Sequence, residues 1–239
     1  VYDFKILNDT LKQFVAYNGG QFFEPVSLGR VEPQNLHGLE QAELLIVTYE
    51  GFLQQAVRLA DLHRDEGTSV NVVTTEQIYN EFSSGMQDPV AIKQFAKMFY
   101  DRAEIDNSLM PKNLCLFGDG SFDPKNRIAG NNYYVPVYEF ENSEHTINSM
   151  VSDEFFVLLD DNESNAGDED MDMGVGRIIV SNLVQATQMV DKIEHYLRNG
   201  SNYFSGQDGV NCDEIRHQLN RRTEIKITKF NNPNVRVER

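Results

Sequence analysis

The chain reads as an α/β fold, a three-layer sandwich built on a mostly parallel sheet. Short apolar runs alternate along it with amphipathic segments of helical period. The runs are apolar throughout, as strands covered on both faces must be. Gly, Pro and short polar caps fall at the boundaries between them.

Residues 1–42 read as a lead-in segment. Residues 43–49 (ELLIVTY) form the first buried strand. Residues 52–65 place Phe52, Ala56, Leu59, Ala60 and His63 on one helical face, and Gly67 is a natural stop. Residues 69–74 (SVNVVT) are a second strand. Residues 88–103 are a helix, with Asp88 as N-cap and Pro89 in the first turn. Residues 113–117 (NLCLF) are a third strand, ending in the turn Gly118-Asp119-Gly120. Strand, helix, strand, helix, strand predicts parallel pairing through crossover helices, a Rossmann-like arrangement.

Residues 123–150 are read as loop, and a fourth strand is expected at 151–158 (VSDEFFVL). An acidic loop follows at 160–172, then a strand at 174–180 (GVGRIIV). The last helix spans 182–198, with Ser181 as its N-cap and Leu183, Ala186, Met189, Val190, Ile193 and Leu197 facing the sheet. Residues 200–211 have linker composition, rich in Gly, Ser and Asn. From Cys212 the charge reverses: seven Lys or Arg against four Asp or Glu give +3, leaving −19 on residues 1–211.

The whole chain of 239 residues carries −16. Nucleic acid is not an expected partner, because phosphate binding needs a basic face. No apolar run of about 18 residues is present, so no membrane span is expected. No basic and apolar leader is read at Val1. Two cysteines, Cys115 and Cys212, have neither metal-site spacing nor a disulfide framework. The strand-end glycines match no GxGxxG or P-loop pattern, so no organic cofactor is expected.

Five segments then fall in one order: "LLIVTYEGFLQQAVRLADLHRDEG" with the text that follows it, "LCLFGDGSFD", "SDEFFVLLDD", "MDMGVGRIIV" and "QATQMVDKIEHYL". Over residues 25–199 they resemble the gingipain-type cysteine peptidases, and within them the surface sortases of type IX secretion. The resemblance implies a caspase-like pair of α/β subdomains, of which residues 43–199 are the first. It implies secretion to, or display on, the outer-membrane surface of a Bacteroidetes bacterium. Its implied partners are the second catalytic subdomain and protein cargo whose C-terminal signals are processed.

In that family the nucleophilic Cys and the His of a Gly-His-Gly turn lie in the second subdomain. The first supplies an acid just before the Gly-Arg strand, which here is Asp172. A thiolate needs a His to take its proton, and the His needs a partner that fixes its tautomer. Asp172 has only that last role open to it. No Gly-His-Gly occurs, and Leu36-His37-Gly38 precedes the first strand. The chain is therefore expected to be inactive as a peptidase. Residues 217–229 (HQLNRRTEIKITK) separately resemble the end of OmpA-like domains, a helix, Asn-Arg-Arg and an edge strand. That makes residues 212–239 either a fusion remnant or a join of two pieces.

Among single residues, Cys115 reads as a buried structural thiol and Cys212 as a surface one. His63 and His195 read as structural. Asp119 sits at a strand's carboxyl end, where α/β sites gather, or in a plain turn. Asp153, Asp160, Asp161, Asp168, Asp170 and Asp172 form an acidic cluster. Calcium is its implied cofactor, with Asp153, Asp160 and Asp170 as candidate ligands, against a solvated acidic loop. The rival functional readings are a non-enzymatic surface module that binds calcium or protein, and a flavodoxin-like small-molecule binder.

Overall fold

The computed structural model describes residues 29–103, 109–140, 151–161, 163 and 170–199, with scattered positions before them. The chain forms two compact units, Val1–Pro33 and Gln34–Arg239. The second holds the elements that follow.

In chain order these are β1 (Leu44–Thr48), α1 (Leu53–Asp65), β2 (Val70–Thr74), α2 (Thr75–Phe82) and α3 (Pro89–Ala103). Then come β3 (Asn113–Phe117), β4 (Tyr138–Glu139), β5 (Val151–Ser152), β6 (Gly174–Ile178) and α4 (Leu183–Asn199). Four strands make a sheet in the order β2-β1-β3-β6, every pair parallel. β4 and β5 form a separate antiparallel pair.

The sheet is buried on both faces. Leu45, Val47, Leu114 and Leu116 point to one side, into a core with Ile92, Phe95 and Phe99 of α3 and Ile78 of α2. Leu44, Ile46 and Phe117 point to the other, against Ala56, Leu59 and Ala60 of α1 and Ala186 and Val190 of α4. Period-two geometry applied to uniformly apolar strands yields this double core. All five residues of β1 are buried, as the central strand must be.

Local signals explain most boundaries. Gly67 adopts φ +90 after α1, and Thr68 N–H closes the helix onto His63 O at 3.0 Å. Asp88 Oδ1 accepts from Val90 N–H at 2.8 Å, the expected cap of α3. α4 is capped one residue later than expected. Asn182 Oδ1 accepts from Gln185 N–H at 2.9 Å, while Ser181 N–H donates back to Gln185 Oε1 at 2.9 Å. α2 occupies residues to which the sequence reading gave no element. Its signal was the capping box Thr74-x-x-Gln77, whose two bonds measure 3.2 and 2.9 Å.

The expected strand over 151–158 shrinks to β5, and Glu154–Val157 winds into a 3-10 turn. Phe155, Phe156 and Val157 are all buried in the same core. A strand alternates its side chains and cannot present three consecutive ones to one core, whereas a tight turn can.

Residues before β1 dock on α2 through Glu81. Its carboxylate accepts from Leu36 N–H at 2.7 Å, Gln34 Nε2 at 2.9 Å and His37 Nδ1 at 2.8 Å. The His37 ring stacks on Phe82 at 4.8 Å. Burial alone would raise the Glu81 pKa, but these donors outweigh it and hold it below the ordinary 4.5. The contribution to stability is therefore complete above about pH 4.5 and is lost as pH falls through the lowered value. Glu81→Gln is expected to cost about 1.5–3 kcal/mol at pH 7, the range for bonds to a charged group. The difference from the parent should vanish below the folded-state pKa, read by urea unfolding at both pH values.

Among the described residues, no helix is long and apolar enough to cross a membrane.

Candidate functional site

The order β2-β1-β3-β6 reverses direction between β1 and β3. α1 covers one face and α2 with α3 the other, so a crevice opens at the carboxyl ends of β1 and β3. Buried Thr48 stitches those ends together, its hydroxyl donating to Phe117 O at 3.1 Å.

The turn after β3 is tightly built. Gly118 adopts φ +153, and a Cβ there would lie 2.8 Å from Val135 Cγ2. A Cβ on Gly120 would lie 2.6 Å from Val137 Cγ1 and 3.0 Å from Val135 O. Both positions need glycine because the 134–137 segment passes directly over them. Asp119 N–H donates to Val180 O, and Tyr134 and Val135 N–H donate to Asp119 O, at 3.0, 3.0 and 3.1 Å. The Asp119 carboxyl is pushed up by burial, against the opposing pull of Gly120 N–H and Arg177.

Asp119 opens onto a cleft of about 510 Å³, whose apolar rim includes Phe122, Ile128 and Val151. Its wall is pinned by buried Asp123. Asp123 Oδ2 accepts from Ile128 N–H, and its carbonyl from Asn131 Nδ2, both at 2.7 Å.

Arg177 ties these parts together. Its guanidinium bonds both oxygens of Asp153, at 2.8 and 2.6 Å. It also donates to Gly118 O, Val135 O and Pro136 O at 3.1, 2.9 and 2.8 Å. The side chain is 9% exposed. Sequence reading missed this residue as a site member. Its signal was a lone Arg inside an apolar strand.

The candidate calcium ligands separate in space. Both oxygens of Asp153 are taken by Arg177, and Asp170 is exposed. Asp160 instead meets Glu163 and Asp172, the three offering oxygens within 4.8 Å of one another. Asp161 is exposed and pairs with Lys97 at 3.0 Å. Asp168 lies outside the described residues.

Asp172 sits at the amino end of β6, whereas Asp119 sits at the carboxyl end of β3. Asp172 Oδ2 accepts from Leu159 N–H at 2.6 Å, and Oδ1 faces the Tyr100 hydroxyl at 3.2 Å. The same hydroxyl lies 3.0 Å from Asp160 Oδ1, so one proton serves two carboxylates. Burial and these acids push the Tyr100 phenol above its ordinary value.

Cys115 lies mid-strand among the α1 and α4 side chains, and burial pushes its thiol up to about 12. Such a thiol is no nucleophile at neutral pH. In the folded chain, alkylation of Cys115 at pH 7.5 should be at least tenfold slower than in urea, read by peptide mass mapping. Cys212 and the 212–239 tail lie outside the described residues. His63 is half-buried on α1 and His195 is exposed on α4.

A doubly wound parallel sheet with a glycine-pinned acidic turn at its switch point defines an α/β unit of the caspase-like kind. The model of peptidase family C25 matches residues 37–236, and the chain belongs to that family, the gingipain family. Among solved structures, dimeric latent PorU from Porphyromonas gingivalis is similar at 37% identity and TM-score 0.63. The similarity covers 71% of this chain and 17% of that one, so the chain spans about a sixth of PorU. A structure described as a protease is 21% identical over 64% of this chain and 27% of its own, at TM-score 0.43. Among curated proteins nothing matches.

Proposed function

We propose that this chain is the first α/β half of a gingipain-like cysteine endopeptidase of the sortase kind. It acts in type IX secretion, at the outer-membrane surface, where C-terminal signals of cargo are processed. The observation that carries this reading is the 37% identity to PorU across 71% of the chain. The catalytic Cys and His belong to a second subdomain, and the chain without them has no peptidase activity. Two features support that. The sequence has no Gly-His-Gly, and Cys115 is half-buried in a strand with a raised thiol pKa. The switch-point crevice with Asp119 then serves as part of the wall on which the second subdomain and its substrate are seated.

The test is to assay the chain on peptide substrates with a thiol-directed inhibitor present and absent. No turnover is expected. Inhibitor-sensitive turnover that Cys115→Ala or Cys212→Ser abolishes would overturn the reading.

A second reading, calcium bound on the 160–172 loop, is favoured by the closeness of Asp160, Glu163 and Asp172. Calcium takes six to eight oxygens, so these three supply part of a shell. Titration calorimetry should then show a calcium heat that Asp172→Asn removes. No heat from the parent chain would end this reading.

A further inference from the structure

Residues 124–130 are exposed without interruption, the longest such run between Gln34 and Asn199 among the described residues. The run holds two basic residues, Lys125 and Arg127, and no acid. Neither base has an ion-pair partner among the described residues. The one backbone bond that 124–127 makes among them is Asn126 N–H to Asp123 O, at 3.1 Å. No helix or strand has to come apart for this segment to enter another protein's cleft.

Asp123, just before the run, is 7% exposed and has no cation paired to it among the described residues. Burying a carboxylate is costly unless a cation or several donors face it. What faces Asp123 Oδ2 is the Ile128 N–H, 2.7 Å away. That nitrogen belongs to the Arg127–Ile128 peptide bond.

We propose that Arg127–Ile128 is a processing site, cut by an endopeptidase that acts after basic residues, and that the cut gives Asp123 its counter-ion. Hydrolysis adds one water across the amide. Arg127 keeps the new carboxylate, and the Ile128 nitrogen becomes an ammonium. It already stands 2.7 Å from Asp123 Oδ2, within the range of about 2.7–2.9 Å for a charge-assisted bond. A cut after Lys125 has no such outcome, because Asn126 N–H meets a carbonyl and not a carboxylate. Asp123 O also accepts from Asn131 Nδ2 at 2.7 Å, so a second bond joins the two pieces. Phe122, on one side of the cut, and Ile128, on the other, both line the cleft beside Asp119. Processing therefore turns a continuous loop on the cleft rim into two ends held by an ion pair. Neither step calls on peptidase activity in this chain itself.

Limited digestion of the full chain with trypsin, read by intact mass and N-terminal mapping, tests this. Between residues 34 and 199 the first cut should fall at Arg127–Ile128, and the pieces should elute together on gel filtration without denaturant. Arg127→Gln should abolish that cut, whereas Lys125→Gln should leave it. Acylation of the Ile128 amine at pH 7.5 should be about tenfold slower in the folded, nicked chain than in urea, since a pKa raised by about one unit removes that share of free amine. Asp123→Asn keeps an acceptor but not the charge and should remove most of the difference. A first cut elsewhere in 34–199, or pieces that separate, would overturn the proposal. So would an Ile128 amine that acylates as fast folded as in urea, or a difference that Asp123→Asn leaves unchanged.

Discussion

Arg177→Leu is expected to destabilise the protein by about 3–5 kcal/mol, the range for breaking a buried ion pair by removing one partner. Leucine fills much of the space, so the loss is not chiefly of packing. What remains is the Asp153 carboxylate, which loses the fork bound to both of its oxygens. Three carbonyls, on Gly118, Val135 and Pro136, are left unbonded too. An unmade bond at a buried acceptor costs about 1–3 kcal/mol, so the carbonyls alone make this a large effect. Arg177→Lys keeps the charge but not the planar fork and should recover only part. The double variant Arg177→Leu/Asp153→Leu should be more stable than Arg177→Leu alone, since it removes the orphaned charge. Urea unfolding of all four proteins measures this. Equal stabilities for parent and Arg177→Leu would show that the guanidinium is not the tie.

The same residue shows what the sequence made legible and what it hid. An Arg between Gly176 and Ile178 reads from sequence only as part of a strand. Its partners lie 24, 41, 42 and 59 residues away, on Asp153, Pro136, Val135 and Gly118. The strands β1, β2, β3 and β6 and their parallel pairing were readable because uniform apolarity is a local signal of burial on both faces. Helix ends were readable where a cap is local, as at Asp88 and Gly67. The two misplacements have local causes. At Ser181 and Asn182 both neighbours are good caps, and only the Gln185 side chain decides between them. At 154–157 the β-rich text FFV was read by propensity, while one-sided burial of all three side chains overrode it.

The grouping of the acidic residues was hidden for a related reason. Six aspartates close in sequence gave no means of telling which would meet. Asp153 is claimed by a cation in another strand, while Asp160 and Asp172 are brought together by Tyr100 and the Leu159 amide. Proximity in sequence does not distinguish these partners, which are set by Tyr100, Leu159 and Arg177 from other parts of the fold. Glu163, not singled out beforehand, joins Asp160 and Asp172 because its carboxylate accepts from Asp160 N–H at 2.9 Å. That turn is set by spacing of three residues, a signal too common to read in advance.

Phe95→Ala is expected to cost about 3–5 kcal/mol, the usual loss for a buried Phe truncated in a packed core. Phe95 is 0% exposed, midway along α3, where the helix crosses the face made by Leu45, Val47, Leu114 and Leu116. Its ring meets Phe82 edge-on at 5.9 Å and Phe99 at 5.2 Å. Such pairs add about 0.5–1.5 kcal/mol beyond area burial, so the value should lie towards the upper end. The site cannot collapse easily, because packed side chains of the central strands form one wall and two other rings the next. Phe95→Leu leaves a smaller void and should cost less than half as much. Phe122→Ala is the matched control. That ring is 72% exposed on the cleft rim, and its removal should change stability by within about 0.5 kcal/mol. If Phe122 proved as costly as Phe95, the rim would have to be covered in solution. The cleft beside Asp119 would then be an interior packing surface, not a place where a second subdomain or substrate is seated.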